Sequence, residues 1–271
     1  MENHSAPSQA SSTSEATGTN AIHSHLENFK QGIEKDEFVL LAQPVHDLER
    51  GHIAAAEILV QWHRGRTNLL PGEFLPQLEE DQISGELDFY VLAHSLQLLH
   101  ESPGGRSSLL PLSFNLSAQL LQSHGCVERI TSLVEAFAID KQRIWFEIRQ
   151  EMLQKSSADL REQIEELHQE GFRIVADHVG MDPGKLDQLS AFPVYAIKIP
   201  VIDQEGGGHS SVDQTAFQEI VQLCREQNQI VIGVNVEHHH EVDALLESGV
   251  SLAQGYYLAR PMPLPKFLQN L

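Results

Sequence analysis

Two neighbouring runs of the sequence, RIVADHV (173–179) and VYAIKI (194–199), have the apolar, β-branched composition of buried strands. Each run carries one ionisable residue near its C-terminal end, Asp177 in the first and Lys198 in the second. Packing alone gives no reason to place a charge inside an apolar strand. The two runs therefore predict buried strands whose ends carry functional groups.

The same pattern extends over most of the chain. From Phe38 onward, β-type runs alternate with amphipathic helical stretches at 157–170, 213–227 and 241–248, which favours a largely parallel sheet. The β-type runs number eight: FVLLAQPV (38–45), HIAAAEILVQW (52–62), LLPLSFNL (109–116), RIWFEI (143–148), RIVADHV (173–179), VYAIKI (194–199), IVIGV (230–234) and VSLAQ (250–254). This alternation predicts an α/β fold, a single (β/α)8 TIM-like barrel.

Six of the runs carry a polar residue near the C-terminal end: Glu57, Asn115, Glu147, Asp177, Lys198 and Gln254. In a (β/α)8 barrel the C-terminal strand ends meet at one face, so we expect these side chains in one pocket. Carboxylate and amide oxygens suit a hard cation, with a phosphate or another anion as its partner.

At these positions, residues 36–271 resemble the EAL domain family, the cyclic di-GMP phosphodiesterases of bacteria. The signature Glu-Ala-Leu corresponds to Glu57-Ile58-Leu59, and the family's further motifs follow in order as Asn115-Leu116-Ser117, Glu147, Asp177, Lys198 and Gln254-Gly255-Tyr256. The resemblance implies an EAL-type barrel with Lys198 as a catalytic residue. It implies metal ligands at Glu57, Asn115, Glu147 and Asp177, and ligand contacts at Gln43, Pro44, Leu59, Gln61 and Gln254.

Four positions depart from the family pattern. His178 replaces a second Asp, Val234 and Gln150 each replace a Glu, and Gln61 replaces an Arg that contacts phosphate in the family. Phosphodiester hydrolysis with two metals requires cations about 3.5–4 Å apart, and loss of a bridging carboxylate weakens at least one site. We expect at most a single residual site for Mg²⁺, Mn²⁺ or Ca²⁺. His178 is either a replacement ligand or a neutral histidine at the rim, and Lys198 is either catalytic or a counter-ion for the carboxylates.

The resemblance and its departures predict a catalytically degenerate EAL domain in cyclic di-GMP signalling. It would act as a nucleotide sensor or a protein-interaction module, with weak cyclic di-GMP binding because Gln61 lacks the charge of arginine. Two alternatives stay open. One is a slow metal-dependent cyclic di-GMP phosphodiesterase, and the other is a barrel that binds only a protein partner.

The composition of the chain disfavours several other classes of function. The chain has 38 acidic residues against 18 Lys and Arg, a formal charge of −20, which disfavours binding to a nucleic acid polymer. No apolar run approaches the roughly 18 residues that span a bilayer, so we expect no membrane insertion. Two cysteines in apolar helical stretches, Cys126 and Cys224, favour a cytoplasmic protein. Residues 1–27 are rich in Ser, Thr and Asn and are predicted to form a disordered tail.

Overall fold

A computed structural model of the chain describes residues 26–102, 110–201 and 211–271. The described residues divide into two compact units, one comprising residues 26–39 and 61–83 and the other comprising residues 40–60 and the described part of 84–271. Strands β1 (Phe38–Asp47) and β2 (His52–Arg64) contribute residues to both units.

The first unit is held together by an aromatic cluster. It contains helix α1 over residues 26–34, strand β3 (Thr67–Leu69) paired antiparallel with the end of β2, and helix α2 (Pro71–Glu80). Phe29, Phe38, Trp62 and Phe74 are buried, with ring centroids 4.9–6.2 Å apart in four contacting pairs. Helix α1, which carries the buried Phe29, already includes residues 26 and 27, and the sequence analysis had placed these two residues in the tail. The rest of the predicted tail lies outside the described residues.

The second unit is built on a closed barrel. Its strands, besides β1 and β2, are β4 (Leu112–Asn115), β5 (Ile144–Arg149), β6 (Arg173–Asp177), β7 (Val194–Pro200), β8 (Ile230–Val234) and β9 (Leu252–Ala253). They pair in the order β1-β9-β8-β7-β6-β5-β4-β2, and a β1–β2 pairing closes the ring. All eight predicted runs are therefore strands of the barrel. A short strand, β10 (Met262–Pro263), pairs with the start of β1.

One strand of the barrel is reversed. The neighbours from β2 to β9 pair in parallel, but β1 runs antiparallel to β9. Only residues 48–51 separate β1 from β2, far fewer than the dozen or so that a parallel crossover needs. The Asp47 carboxylate accepts hydrogen bonds from the backbone N–H groups of Glu49 and Arg50 at 3.1 and 2.9 Å, and Gly51 takes φ +68°. This tight turn makes the first two strands a hairpin.

The helices of this unit are α3 (Ser84–Glu101), α4 (Ala118–Gln122), α5 (Cys126–Ala136), α6 (Gln150–Gln154), α7 (Ala158–Gln169), α8 (Pro183–Asp187), α9 (Ser211–Glu226), α10 (His239–Glu247) and α11 (Leu264–Gln269). The three predicted helices are confirmed as α7, α9 and α10. In α7 the Ser157 hydroxyl caps the N–H of Leu160 at 3.3 Å, as its sequence predicts. Among the described residues, no helix is long and apolar enough to cross a membrane.

The barrel interior explains where the polar side chains lie. One buried layer is formed by Val45, Ala55, Trp145, Val175, Ala196 and Ile232. Side chains two residues apart on a strand share a face. The next inward positions toward the C-terminal ends of the parallel strands are consequently Glu57, Glu147, Asp177, Lys198 and Val234. On the reversed strand the corresponding residue is Gln43, two positions earlier.

Candidate functional site

Glu57 is the centre of a hydrogen-bonded group at this end of the barrel. Its Oε1 accepts a hydrogen bond from Asn115 Nδ2 at 3.1 Å, and its Oε2 accepts one from Gln254 Nε2 at 2.9 Å. The Lys198 ammonium donates to the same Oε2 at 2.6 Å. Four of the six predicted strand-end groups thus meet at one carboxylate.

Lys198 bridges two carboxylates. Its Nζ lies 2.6 Å from Glu57 Oε2 and 2.6 Å from Glu147 Oε1, and its side chain is 3% exposed. Burial alone would lower the pKa of Lys198, but the charges of Glu147 and Glu57 outweigh burial and raise this pKa well above its ordinary value. The lysine is therefore a permanent cation between the two acids.

Glu147 is fully enclosed. Burial, together with the charge of Glu57, raises the pKa of Glu147 to about 8 although Lys198 opposes the shift. The Ser113 hydroxyl donates a hydrogen bond to Oε1. Among the described residues, the buried Oε2 has no hydrogen-bond partner. At neutral pH the raised pKa favours the protonated, uncharged form of this carboxyl group.

Asp177 and His178 form a neighbouring pair at the end of β6. His178 Nδ1 lies 2.6 Å from Asp177 Oδ2, and the His178 backbone takes φ +54°. Burial opposes ionisation of Asp177, but the hydrogen bond with His178 and the charge of Lys198 outweigh it and hold its pKa below the usual value. The same hydrogen bond raises the pKa of His178. The imidazole is 76% exposed.

These groups open into a cavity of about 420 Å³. Its lining consists of Gln43, Glu57, Asp177, His178, Lys198, Pro200, Val234, Asn235, Glu237, Gln254, Gly255 and Tyr256. Gln43, Gln254, His178 and Val234 were singled out from the sequence and line the cavity. The lining does not include Pro44, Leu59, Asn115 or Glu147. Asn115 nevertheless donates a hydrogen bond to Glu57, and Glu147 contacts Lys198, and both of these partners line the cavity.

Two further residues that the sequence analysis singled out, Gln61 and Gln150, contact residues outside the cavity lining. Gln61 belongs to the first unit, where its Oε1 lies 3.2 Å from His63 Nε2. Gln150 is buried, and its Oε1 accepts a hydrogen bond from the Gly180 N–H at 3.1 Å. Gln150 thus supports the loop that follows His178, and an amide oxygen can do so as well as a carboxylate.

Three lining residues, Pro200, Asn235 and Glu237, escaped the sequence analysis, and Tyr256 appeared there only as part of a motif. Pro200 lies two positions after Lys198 on the same face of β7, so strand periodicity was a signal that could have found it. Asn235 takes φ +64°, and Glu237 and Tyr256 lie beyond strand ends. Their positions depend on loop geometry, which periodicity does not report.

A tight turn places Tyr256 at the rim. A Cβ on Gly255 would overlap the backbone of Val236, so only glycine fits there. The Tyr257 N–H donates to the Val236 carbonyl at 3.0 Å, and Gln43 Nε2 donates to the Ala259 carbonyl at 3.3 Å. The turn is therefore fixed to both the barrel and the cavity.

The donor set has the chemistry that a divalent cation prefers, but its present arrangement holds a lysine instead. In the part of the chain that the structure describes, no three His, Cys, Asp or Glu side chains are grouped so that they could hold a metal ion. The Lys198 ammonium contacts both Glu57 and Glu147, where a cation would draw on the same oxygens. The single residual metal site stays a prediction.

Comparison with known proteins adds relatives that match the barrel. An uncharacterized protein of Mycobacterium tuberculosis is 29% identical over 248 residues, which are 90% of this chain and 39% of that protein. The chain thus spans about two fifths of the length of this relative. The cyclic di-GMP phosphodiesterase RocR of Pseudomonas aeruginosa is 26% identical, over 88% of this chain and 61% of its own.

Solved structures agree with the fold. The PaMucR phosphodiesterase in complex with cyclic di-GMP superposes with a TM-score of 0.79 at 24% identity, covering 89% of this chain and 98% of that one. The FimX EAL domain of Pseudomonas aeruginosa bound to cyclic di-GMP gives a TM-score of 0.76 at 22% identity, over 87% and 95% of the two chains. A sequence model of the EAL domain matches residues 26–261. The barrel, its strand-end motifs and this match over most of its length establish that the chain belongs to the EAL domain family.

Proposed function

We propose that this EAL domain binds cyclic di-GMP at the mouth of its barrel without cleaving it, and acts in cyclic di-GMP signalling as a nucleotide sensor or a protein-interaction module. Support comes from relatives that are named cyclic di-GMP phosphodiesterases and from EAL domains solved with cyclic di-GMP. The cavity of about 420 Å³ has the size of a small-molecule site.

The observation that carries the proposal is that His178 and Val234 line the cavity at positions where the family pattern has carboxylates. Lys198, which matches a lysine of the family, contacts the acids that remain. Its ammonium lies between Glu57 and Glu147, at 2.6 Å from each, and draws on carboxylate oxygens that the family uses for metal. A divalent cation beside this buried ammonium would be repelled by it. The lysine therefore offsets the charge of these acids.

The neighbouring positions support the same proposal. Val234 lines the cavity and has no atom that binds metal or moves a proton. The His178 imidazole, which replaces a carboxylate, is engaged with Asp177. Each substitution removes an acidic oxygen from the place where a second metal would need one.

A second candidate is a slow metal-dependent cyclic di-GMP phosphodiesterase, and the unpartnered Glu147 Oε2 favours it. An orphaned carboxylate oxygen beside Glu57 fits one hard cation. Glu57, Asn115, Glu147 and Asp177 would hold a Mg²⁺ or Mn²⁺ ion. Such an ion would supply a water of lowered pKa and Lewis-acid stabilisation of the phosphate.

A turnover assay distinguishes the proposed binding function from the slow phosphodiesterase. Labelled cyclic di-GMP is incubated with the purified chain and Mg²⁺ or Mn²⁺, and the products are resolved by chromatography. We expect the nucleotide to stay intact over hours, because loss of one catalytic donor alone costs about 10²–10³ in rate. Sustained metal-dependent release of the linear dinucleotide would establish the second candidate. Calorimetry with intact nucleotide then separates a sensor from a barrel that binds only protein.

A further inference from the structure

We propose that Arg260, seated on the ring of Tyr256, binds the phosphodiester anion of the ligand at the rim of the cavity. This inference rests on the proposed function, because it assigns a residue to nucleotide binding. Arg260 is exposed, and its guanidinium carbon lies 4.8 Å from the centroid of the Tyr256 ring. Tyr256 itself lines the cavity.

The lining of the cavity gives the first reason. Among its described residues, Glu57, Asp177 and Glu237 are acidic, and Lys198 is the one Lys or Arg. The Lys198 ammonium is already bound to Glu57 and Glu147, and His178 is already bound to Asp177. An entering anion therefore needs a cation from outside this lining.

Arg260 meets that need. Across residues 26–102, 110–201 and 211–271, no ion pair of Arg260 is found, and its guanidinium contacts the ring of Tyr256. A guanidinium held by a ring keeps its donors available, and its fork matches phosphate oxygens.

The backbone fixes this pair before any ligand arrives. The Ala259 N–H donates to the Gly255 carbonyl at 3.0 Å, which forms one turn and brings positions 256 and 260 to the same side. Gly255 is packed against Val236, and Gln43 Nε2 is bonded to the Ala259 carbonyl at 3.3 Å. Because the backbone that carries Arg260 is already fixed in this way, ordering the arginine on binding costs less entropy.

The variant Arg260→Gln tests the inference. Because a charge-assisted hydrogen bond is lost, we expect the Kd for cyclic di-GMP to rise about ten- to a hundredfold, with a weaker dependence on salt. Arg50→Gln is the matched control, since it removes the same charge from the β1–β2 turn at the opposite end of the barrel and should leave the Kd unchanged. Melting temperatures establish that each variant is folded.

Tyr256 is a positioning residue in this scheme. Tyr256→Ala should weaken binding in the wild type and have little further effect in the Arg260→Gln background. An undiminished effect in that background would contradict the coupling of ring and guanidinium.

The probes are cyclic di-GMP, the linear dinucleotide and inorganic pyrophosphate. If cyclic di-GMP binds equally to Arg260→Gln and wild type, the inference is overturned while the proposed function stands. If only another phosphate probe binds, and does so through Arg260, the inference stands and the proposed function fails. If wild type binds none of the three, both are overturned.

Discussion

Replacement of Lys198 by methionine removes a buried cation while keeping most of the side-chain volume. Lys198 and Glu147 have side chains 3% and 0% exposed, and Glu57 is 13% exposed. Breaking a buried pair by removing one partner costs about 3–5 kcal/mol, because the remaining charge is uncompensated. We therefore expect Lys198→Met to lower the free energy of unfolding by about that amount at pH 8.5.

The cost should depend on pH. Burial and the charge of Glu57 raise the pKa of Glu147 to about 8 even with Lys198 present, so losing the ammonium raises this pKa further. In the variant Glu147 therefore stays protonated at both pH values, whereas in the wild type it ionises beside Lys198 as the pH rises through about 8. The variant loses that ionisation at pH 8.5 but has none to lose at pH 5.5. The destabilisation should consequently be smaller at pH 5.5 than at pH 8.5.

Urea unfolding followed by tryptophan fluorescence measures both effects, with Lys141→Met as the control. Lys141 also contacts two glutamates, Glu135 and Glu170, each at 2.7 Å, but these partners are 61% and 41% exposed. Exposed pairs contribute below about 1 kcal/mol, so this variant should be nearly neutral. If Lys198→Met costs no more than Lys141→Met at pH 8.5, Lys198 is not the cation that neutralises the site.

Three further predictions concern single positions. Burial raises the pKa of Glu147 from 4.5 to about 8, so its contribution to stability is complete below pH 4.5 and is lost as pH rises through 8. Glu147→Gln should flatten this part of the pH dependence of unfolding, and an unchanged slope would refute the assigned pKa. His178→Asp places a second carboxylate beside Asp177, so Mn²⁺ should raise its melting temperature more than that of wild type; equal shifts would show that His178 does not limit metal binding. Gly255→Ala should lower stability by about 1–3 kcal/mol because its Cβ overlaps the Val236 backbone, whereas Gly72→Ala, whose Cβ meets nothing within 4 Å, should cost little; similar melting temperatures would contradict the packing of the 255–259 turn.

The strands and their polar ends were predictable because both depend on local order in the sequence. A period of two places Glu147 above Trp145 and Lys198 above Ala196 on the inward face, and the runs themselves mark the strands. The reversal of β1 was also within reach, since residues 48–51 are too few for a crossover.

Other features depend on three-dimensional packing. A lysine that bridges Glu57 and Glu147 and a lysine that is directed at a ligand would occupy the same strand position. The sequence alone therefore does not distinguish these two roles of Lys198. The seat of Arg260 on Tyr256 needs the turn fixed by Gly255, whose close approach to Val236 is a tertiary contact. The contact of Phe29 with Phe38, which packs helix α1 against strand β1, is likewise a tertiary contact that local periodicity does not report.

The central claim is that the site binds cyclic di-GMP without cleaving it, because His178 and Val234 stand where the family pattern has acidic side chains. Calorimetric titration of the chain with cyclic di-GMP in the presence of EDTA, repeated with Mn²⁺ and followed by recovery of the nucleotide, tests it directly. We predict the same Kd in both titrations and intact cyclic di-GMP in the recovered ligand. Binding that requires Mn²⁺, with linear dinucleotide recovered, would contradict the claim.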